Sequence, residues 1–207
     1  MSKCKLVWIT EKAEQHIAHM ARVSNPANQL NTQIEGLLKY CMKNGHWSIF
    51  EMSHMAVEIN CPCSIATQIL RHRSFSFQQF SQRYAEVEFD IELPKLRSPH
   101  PKNRQMSLND LDDDLVNELQ YEIKKHFDAS NLLYKRLLNR GVAKECARAV
   151  LTQQAPTRMY MVGSIRSWIH YLQVRTDPST QEEHRRVALE IKKIFQENLP
   201  IIGKLLD

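Results

Sequence analysis

The chain has 207 residues, 43% of them hydrophobic and 25% charged, which suits a single globular domain over 1–207 and excludes an intrinsically disordered chain. No apolar run approaches the roughly 20 residues that cross a bilayer, and Leu6-Val7-Trp8-Ile9 is too short for a signal-peptide core, so a cytosolic protein is expected. The net charge of +5 is interspersed with acidic stretches and not gathered in a tail, a pattern that favours small anionic ligands without demanding nucleic acid.

Residues 5–10 read as a short strand, and 11–23 as a helix with Ala13, Ile17, Met20 and Ala21 at helical spacing. Asn25-Pro26 breaks that helix. Ile34, Leu37, Leu38, Cys41 and Met42 mark a second one over 29–44, stopped by Gly45. Over 54–61 the period changes to two: Met55, Val57, Ile59 and Cys61 alternate with Ala56, Glu58 and Asn60, as in a half-buried strand. Pro62 ends it, and Ser64 is the expected N-cap of a short helix that carries Gln68 and then Arg71 to its C-terminal end. Cys4, Cys41, Cys61, Cys63 and Cys146 form an odd set without a disulfide rhythm, so reduced thiols are expected. Cys61-Pro62-Cys63 lacks a second close pair or paired histidines, so no metal site is expected.

Next comes Arg71-His72-Arg73-Ser74-Phe75-Ser76-Phe77-Gln78-Gln79-Phe80-Ser81-Gln82-Arg83-Tyr84, which holds three arginines, a histidine and no acid. Guanidinium groups are planar, permanently charged donors that match phosphate oxygens bidentately, and glutamine amides can donate to and accept from a heterocyclic base. A nucleotide suits both. Phe75, Phe77 and Phe80 argue against a purely solvated basic face, because they would hold the segment against a core. Aromatic residues interleaved with arginines also occur in nucleic-acid binders, so this stretch alone leaves a mononucleotide site and an RNA groove both open.

Val87, Phe89, Ile91 and Leu93 alternate with Glu86, Glu88, Asp90 and Glu92, as in another strand, and the proline-rich segment 94–105 reads as a loop and candidate lid. A long helix is expected over 109–140, with its acidic cluster at 110–114 in the first turn, where the helix dipole favours it. A helix over 144–152, a strand over 157–163, a helix opened by Ser164, and a last helix from Asp177-Pro178 to Pro200 complete the chain. The expected fold is α+β, a mainly antiparallel central sheet flanked by helices, with a long-helix region.

Arg71-His72-Arg73, followed after seven residues by Ser81 and then Gln82-Arg83-Tyr84, resembles the signature of the flavin-dependent thymidylate synthases. Other blocks fall in that family's order: Ala21-Arg22-Val23-Ser24, Gly45-His46-Trp47-Ser48 with Phe50-Glu51, Gln68, Ala147-Arg148-Ala149-Val150-Leu151, and Arg166-Ser167 leading to Leu172 and Arg175. The resemblance covers roughly 21–195. It implies reductive methylation of dUMP to dTMP, with 5,10-methylenetetrahydrofolate as carbon donor, FAD reduced by NADPH as hydride source, and tetrahydrofolate released. It also implies a homotetramer whose sites draw on several subunits.

Carried over residue by residue, the resemblance puts Gln68, Arg71, Gln79, Phe80, Ser81, Gln82, Arg83, Arg148 and Arg175 around dUMP. Arg83 and Arg148 would hold the phosphate, and Arg175 would be the catalytic group, a fixed cation favouring ionisation of the uracil N3. The FAD side would use Ser48, Arg71, His72, Arg73, Gln79, Ser164, Arg166 and His170, with His46 in the vicinity of the folate or flavin. This chain departs from common family residues at Gln78 and Gln79, where Asn and Glu are frequent, at Ser164 and His170, where asparagines are, and at Ser179. The rivals are a same-fold enzyme leaving a hydroxymethyl group on a pyrimidine nucleotide, an RNA-binding module, and a methyltransferase using Cys63 or Cys146 as nucleophile.

Overall fold

The computed structural model describes residues 3–87 and 91–206. Strand β1 (Lys3–Ile9) leads through helix α1 (Ala13–Ala21) to α2 (Glu35–Lys43) and a 3-10 turn at Trp47–Glu51. Helix α2 starts later than its apolar spacing predicts. Pro26 opens a 3-10 turn instead, and the Arg22 guanidinium binds the carbonyls of Asn31 and Gln33, the latter at 2.7 Å, which satisfies an irregular backbone there.

Strand β2 (His54–Pro62) keeps the predicted alternation, with Met55, Val57, Ile59 and Cys61 buried. Helix α3 (Cys63–Ile69) follows without a break, and Ser64 lies inside it rather than capping it. The first amides of α3 are satisfied by tertiary carbonyls, Cys63 N–H donating to Ala155 and Ser64 N–H to Gln153, each at 3.0 Å. The chain then forms β3 (Ser76–Gln79), the short pair β4 (Ser98–Pro99) and β5 (Ser107–Leu108), α4 (Asp113–Asn139) and α5 (Lys144–Ala147). The strand expected over 87–93 has its centre, 88–90, outside the described residues, and Val87 and 91–93 are irregular. The candidate lid is tied down: Arg97 donates to Glu182 at 2.9 Å and to Glu183 at 2.8 Å.

Strand β6 (Pro156–Ser164) turns into α6 (Ile165–Arg175), and α7 (Glu182–Asn198) and α8 (Pro200–Lys204) close the chain. Helix α7 begins at Glu182 and not at Asp177-Pro178, because the Asp177 carboxylate accepts from Ser179 N–H at 2.8 Å and holds a local turn. The main sheet has the order β1-β2-β6-β3, antiparallel throughout. On one face, Val57 and Ile59 sit opposite Met161 and Met159, all buried. The apolar stripes of α6 (Ile165, Trp168, Ile169, Leu172) and α7 (Val187, Ala188, Ile191, Phe195) complete that core. Glu14 on α1 accepts from the amides of Ile201 and Ile202 at 2.8 and 2.7 Å, fastening α8. No helix among the described residues is long and apolar enough to cross a membrane.

Candidate active site

Helix α3 runs out at Ile69, and the chain turns twice before entering the edge strand β3. His72 N–H donates to Ile69 O at 3.1 Å and Phe75 N–H to His72 O at 3.3 Å. Phe75 anchors this turn, its buried ring 4.7 Å from Trp168 in an edge-to-face contact. Arg71 and Arg73 are exposed, with no side-chain partner among the described residues. The aromatic residue therefore holds the turn down while the two guanidiniums stay available for an anion.

His72 faces inward instead. The Nε of Arg175, the last residue of α6, donates to His72 Nε2 at 2.9 Å. An arginine Nε is only ever a donor, so His72 Nε2 carries a lone pair and its proton sits on Nδ1. Burial, then the positive charges of Arg175 and His170, push the His72 pKa down to about 4, so the ring is neutral at physiological pH. Tyr171, one turn before Arg175, meets His72 edge-on at 4.9 Å. Behind it, His184 is fully buried, within 3.1 Å of the Tyr171 hydroxyl and 3.3 Å of Gln68 Oε1. Residues from α3, α6, α7 and the signature turn thus converge.

Beside this cluster lies a cleft of about 500 Å³ lined by Trp47, Glu51, Ser74, Arg166, Ser167 and His170, among others. Arg166 and His170 are one turn apart on α6, and Arg166 pairs with Glu51 at 3.0 Å while both stay substantially exposed. Ser48 is exposed in the same 3-10 turn as Trp47 and Glu51. His46, just before that turn, packs edge-on against Tyr40 with ring centres 5.7 Å apart. Ser164 is buried and acts as the N-cap of α6, accepting from Ser167 N–H at 3.3 Å.

The second half of the signature runs the other way along β6. Gln79 donates to Thr157 Oγ1 at 3.1 Å and Phe80 N–H to Arg158 O at 2.8 Å. Ser81 follows, Gln82 donates to Cys63 Sγ at 3.5 Å, and Arg83 pairs with Glu145 of α5 at 3.2 Å. Arg148 is exposed just beyond α5. Among the described residues no hydrogen bond or ion pair joins Arg148 to Gln68 or Arg175. Burial raises the Cys63 thiol pKa, which keeps it protonated and works against its use as a nucleophile.

The Thy1 family, described as thymidylate synthase complementing protein, matches residues 5–201. The chain belongs to the Thy1 family. It is 47% identical over 196 residues to a probable flavin-dependent thymidylate synthase of Paramecium bursaria Chlorella virus 1, covering 94% of this chain and 91% of that protein. It is also 47% identical over 191 residues to the flavin-dependent thymidylate synthase of Synechocystis sp., covering 92% and 88%. The UMP/dUMP methylase PolB from Streptomyces cacaoi, solved with 5-Br dUMP, superposes with a TM-score of 0.87 at 25% identity over 99% of this chain and 93% of that one.

Within this Thy1 chain, sequence reasoning missed Tyr171, His184 and Gln181. The signal for His184 was present: it falls on the apolar stripe of α7 with Val187, Ala188 and Ile191, where a polar residue needs a partner. Gln181 carried no such signal. Its importance depends on which side chains the fold brings to it.

Proposed function

We infer that this chain is a flavin-dependent thymidylate synthase, converting dUMP to dTMP with 5,10-methylenetetrahydrofolate, FAD and NADPH. The observation that carries the reading is the Arg175–His72 pair, next to the cleft and flanked by Arg71 and Arg73, which have no side-chain partner among the described residues. It combines anion-binding donors with a fixed, partly desolvated cation.

The uracil C5 attacks carbon poorly until the ring gains negative charge. Arg175 beside N3 stabilises the anion that forms when N3 loses its proton, and delocalisation of that charge makes C5 a better nucleophile. Because His72 takes the Arg175 Nε proton as an acceptor, the guanidinium keeps its terminal N–H groups for the nucleotide. Arg83 and Arg148 hold the phosphate, with Gln68, Arg71 and the 79–82 segment around sugar and base.

The cleft suits FAD in chemistry: Arg166 and His170 offer donors for a diphosphate, and the Trp47 ring offers a face for a planar heterocycle. Ser48 lies in the turn that holds Trp47 and Glu51, and Arg71, His72 and Arg73 lead into the lining residue Ser74. Gln79, bonded to Thr157 toward the other end of β6, would reach the cofactor from there, and Ser164 would act by holding α6. When bound and reduced by NADPH, FAD supplies the hydride that takes the transferred one-carbon unit to a methyl group, and free tetrahydrofolate leaves.

A homotetramer completes this proposal. Among the described residues no hydrogen bond or ion pair joins Arg148 to the Arg175 cluster, which fits a site that draws on more than one chain. Leu115, Leu119, Tyr121, Leu132 and Leu133 leave apolar surface exposed along α4, which such an assembly would cover.

The test is product analysis with FAD-loaded protein, dUMP, methylenetetrahydrofolate and NADPH. Formation of dTMP with one NADPH consumed per product supports the inference. A hydroxymethyl nucleotide, or no turnover by folded flavoprotein, overturns it.

A further inference from the structure

The carboxylate of Glu183 can only accept hydrogen bonds, and it sets the direction of a line of side chains reaching into the site. Gln181 Nε2 donates to Glu183 Oε2 at 2.9 Å, so the Gln181 oxygen faces Gln68 and accepts from its Nε2 at 2.6 Å. Gln68 Oε1 is thereby turned toward His184 Nδ1, 3.3 Å away. An amide oxygen cannot donate, so His184 carries its proton on Nδ1, and its Nε2 accepts from the Tyr171 hydroxyl at 3.1 Å. Each donor points toward Glu183, and each bond has one possible polarity. Glu183 is itself anchored by Arg97, from the segment before β4, at 2.8 Å.

Packing alone does not call for histidine at the fully buried position 184. A leucine would fill an apolar stripe without the cost of desolvating two ring nitrogens. What the imidazole adds is an N–H aimed at one end of the Gln68 amide. That amide still has one N–H and one oxygen lone pair left after its two protein bonds.

We propose that His184 is a positioning residue that, together with Gln181, holds both ends of the Gln68 amide, so that its remaining N–H and lone pair meet the pyrimidine nucleotide in a single arrangement. The proposal rests on the synthase reading, in which Gln68 lies at dUMP. Without His184, only the Gln181 bond still holds the amide, so Gln68 can swing away from the nucleotide, its hydrogen bond there is lost, and part of the bound population is misaligned.

Calorimetric titration of dUMP into FAD-loaded wild type, His184→Leu, His184→Asn, Gln68→Ala and the Gln68→Ala/His184→Leu double variant tests this, with melting temperatures recorded alongside. His184→Leu and Gln68→Ala should each weaken dUMP binding roughly tenfold, the usual scale for one hydrogen bond. The double variant should be no weaker than the worse single one, because both changes remove the same interaction. His184→Asn places an amide N–H near the position of Nδ1 and should recover most of the affinity. Gln181→Met tests the line from an exposed position, where folding is not at risk. Weaker dUMP binding there at an unchanged melting temperature supports the proposal. Wild-type affinity in both His184→Leu and Gln181→Met, or multiplying effects in the double variant, overturns it. A wild-type flavoprotein that neither binds dUMP nor makes dTMP refutes the synthase reading instead.

Discussion

Arg175 and His72 meet through one hydrogen bond whose direction assigns a protonation state, and that assignment has consequences for both catalysis and acid stability. For catalysis, Arg175→Ala removes the cation proposed to stabilise the developing N3 anion. We expect kcat to fall about 100-fold or more, the scale seen when one charge-stabilising donor is lost, while dUMP affinity changes much less. Steady-state kinetics beside dUMP titration separates the two, and near-normal turnover by folded Arg175→Ala would remove Arg175 from this role.

For stability, the sign follows from proton counts. Burial first, then Arg175 and His72, push His184 from 6.5 down to about 4, and His72 is shifted in the same direction. Between those values the unfolded chain binds protons that the folded chain refuses. Stability is therefore full above about pH 6.5 and declines as pH falls toward 4. The fully buried His184 contributes up to about 1.4 kcal/mol of loss per pH unit in that window. Denaturant midpoints recorded from pH 7.5 to about 4.5 should drop for the wild type and drop less steeply for His184→Asn.

At the scale of elements, the turn between α3 and β3 is held by a side chain filling the space above a glycine. A Cβ added to Gly163 on β6 would lie 2.5 Å from Phe75 Cδ1, and Phe75 is wedged edge-on against Trp168. Gly163→Ala must therefore displace the ring that anchors the signature turn. The expected cost is about 1–3 kcal/mol, as for other overpacked cores, together with reduced turnover, since His72 lies on the same turn. Chemical unfolding and kinetics check both. A variant of unchanged stability would mean that Phe75 can move without consequence.

On the scale of the whole molecule, no hydrogen bond or ion pair among the described residues joins Arg148, proposed for the phosphate, to Arg175, proposed for the uracil. Mixing refolded Arg148→Ala and Arg175→Ala chains tests whether a site draws them from different subunits. If it does, about a quarter of sites in randomly mixed assemblies regain both arginines, and activity rises above that of either parent. Failure to rise, with native mass spectrometry showing both variants within the same assemblies, would place both arginines of each site on the same subunit.

Much of this protein is legible in its residues alone. The period-two run in β2 and the helical spacing of apolar residues along α1 and α2 depend on neighbours close in sequence. Local geometry dictates them, so the α+β class could be read without coordinates, while the family was legible through the resemblance of the Arg71-His72-Arg73 signature and its ordered blocks. The late starts of α2 and α7 could not. They depend on where Arg22 and Asp177 find backbone partners. The uncapped start of α3 is likewise decided by carbonyls of Gln153 and Ala155, nearly a hundred residues away. The arrangement around Gln68 is the strongest case: Glu183, Gln181, His184 and Tyr171 carry no shared motif, and only packing α3, α6 and α7 together brings their donors and acceptors into line. Sequence alone supplied the fold class and the candidates for nucleotide binding, whereas the tertiary structure decided how His72, Gln68 and Arg175 are oriented, because hydrogen-bond polarity is settled between groups that only folding makes neighbours.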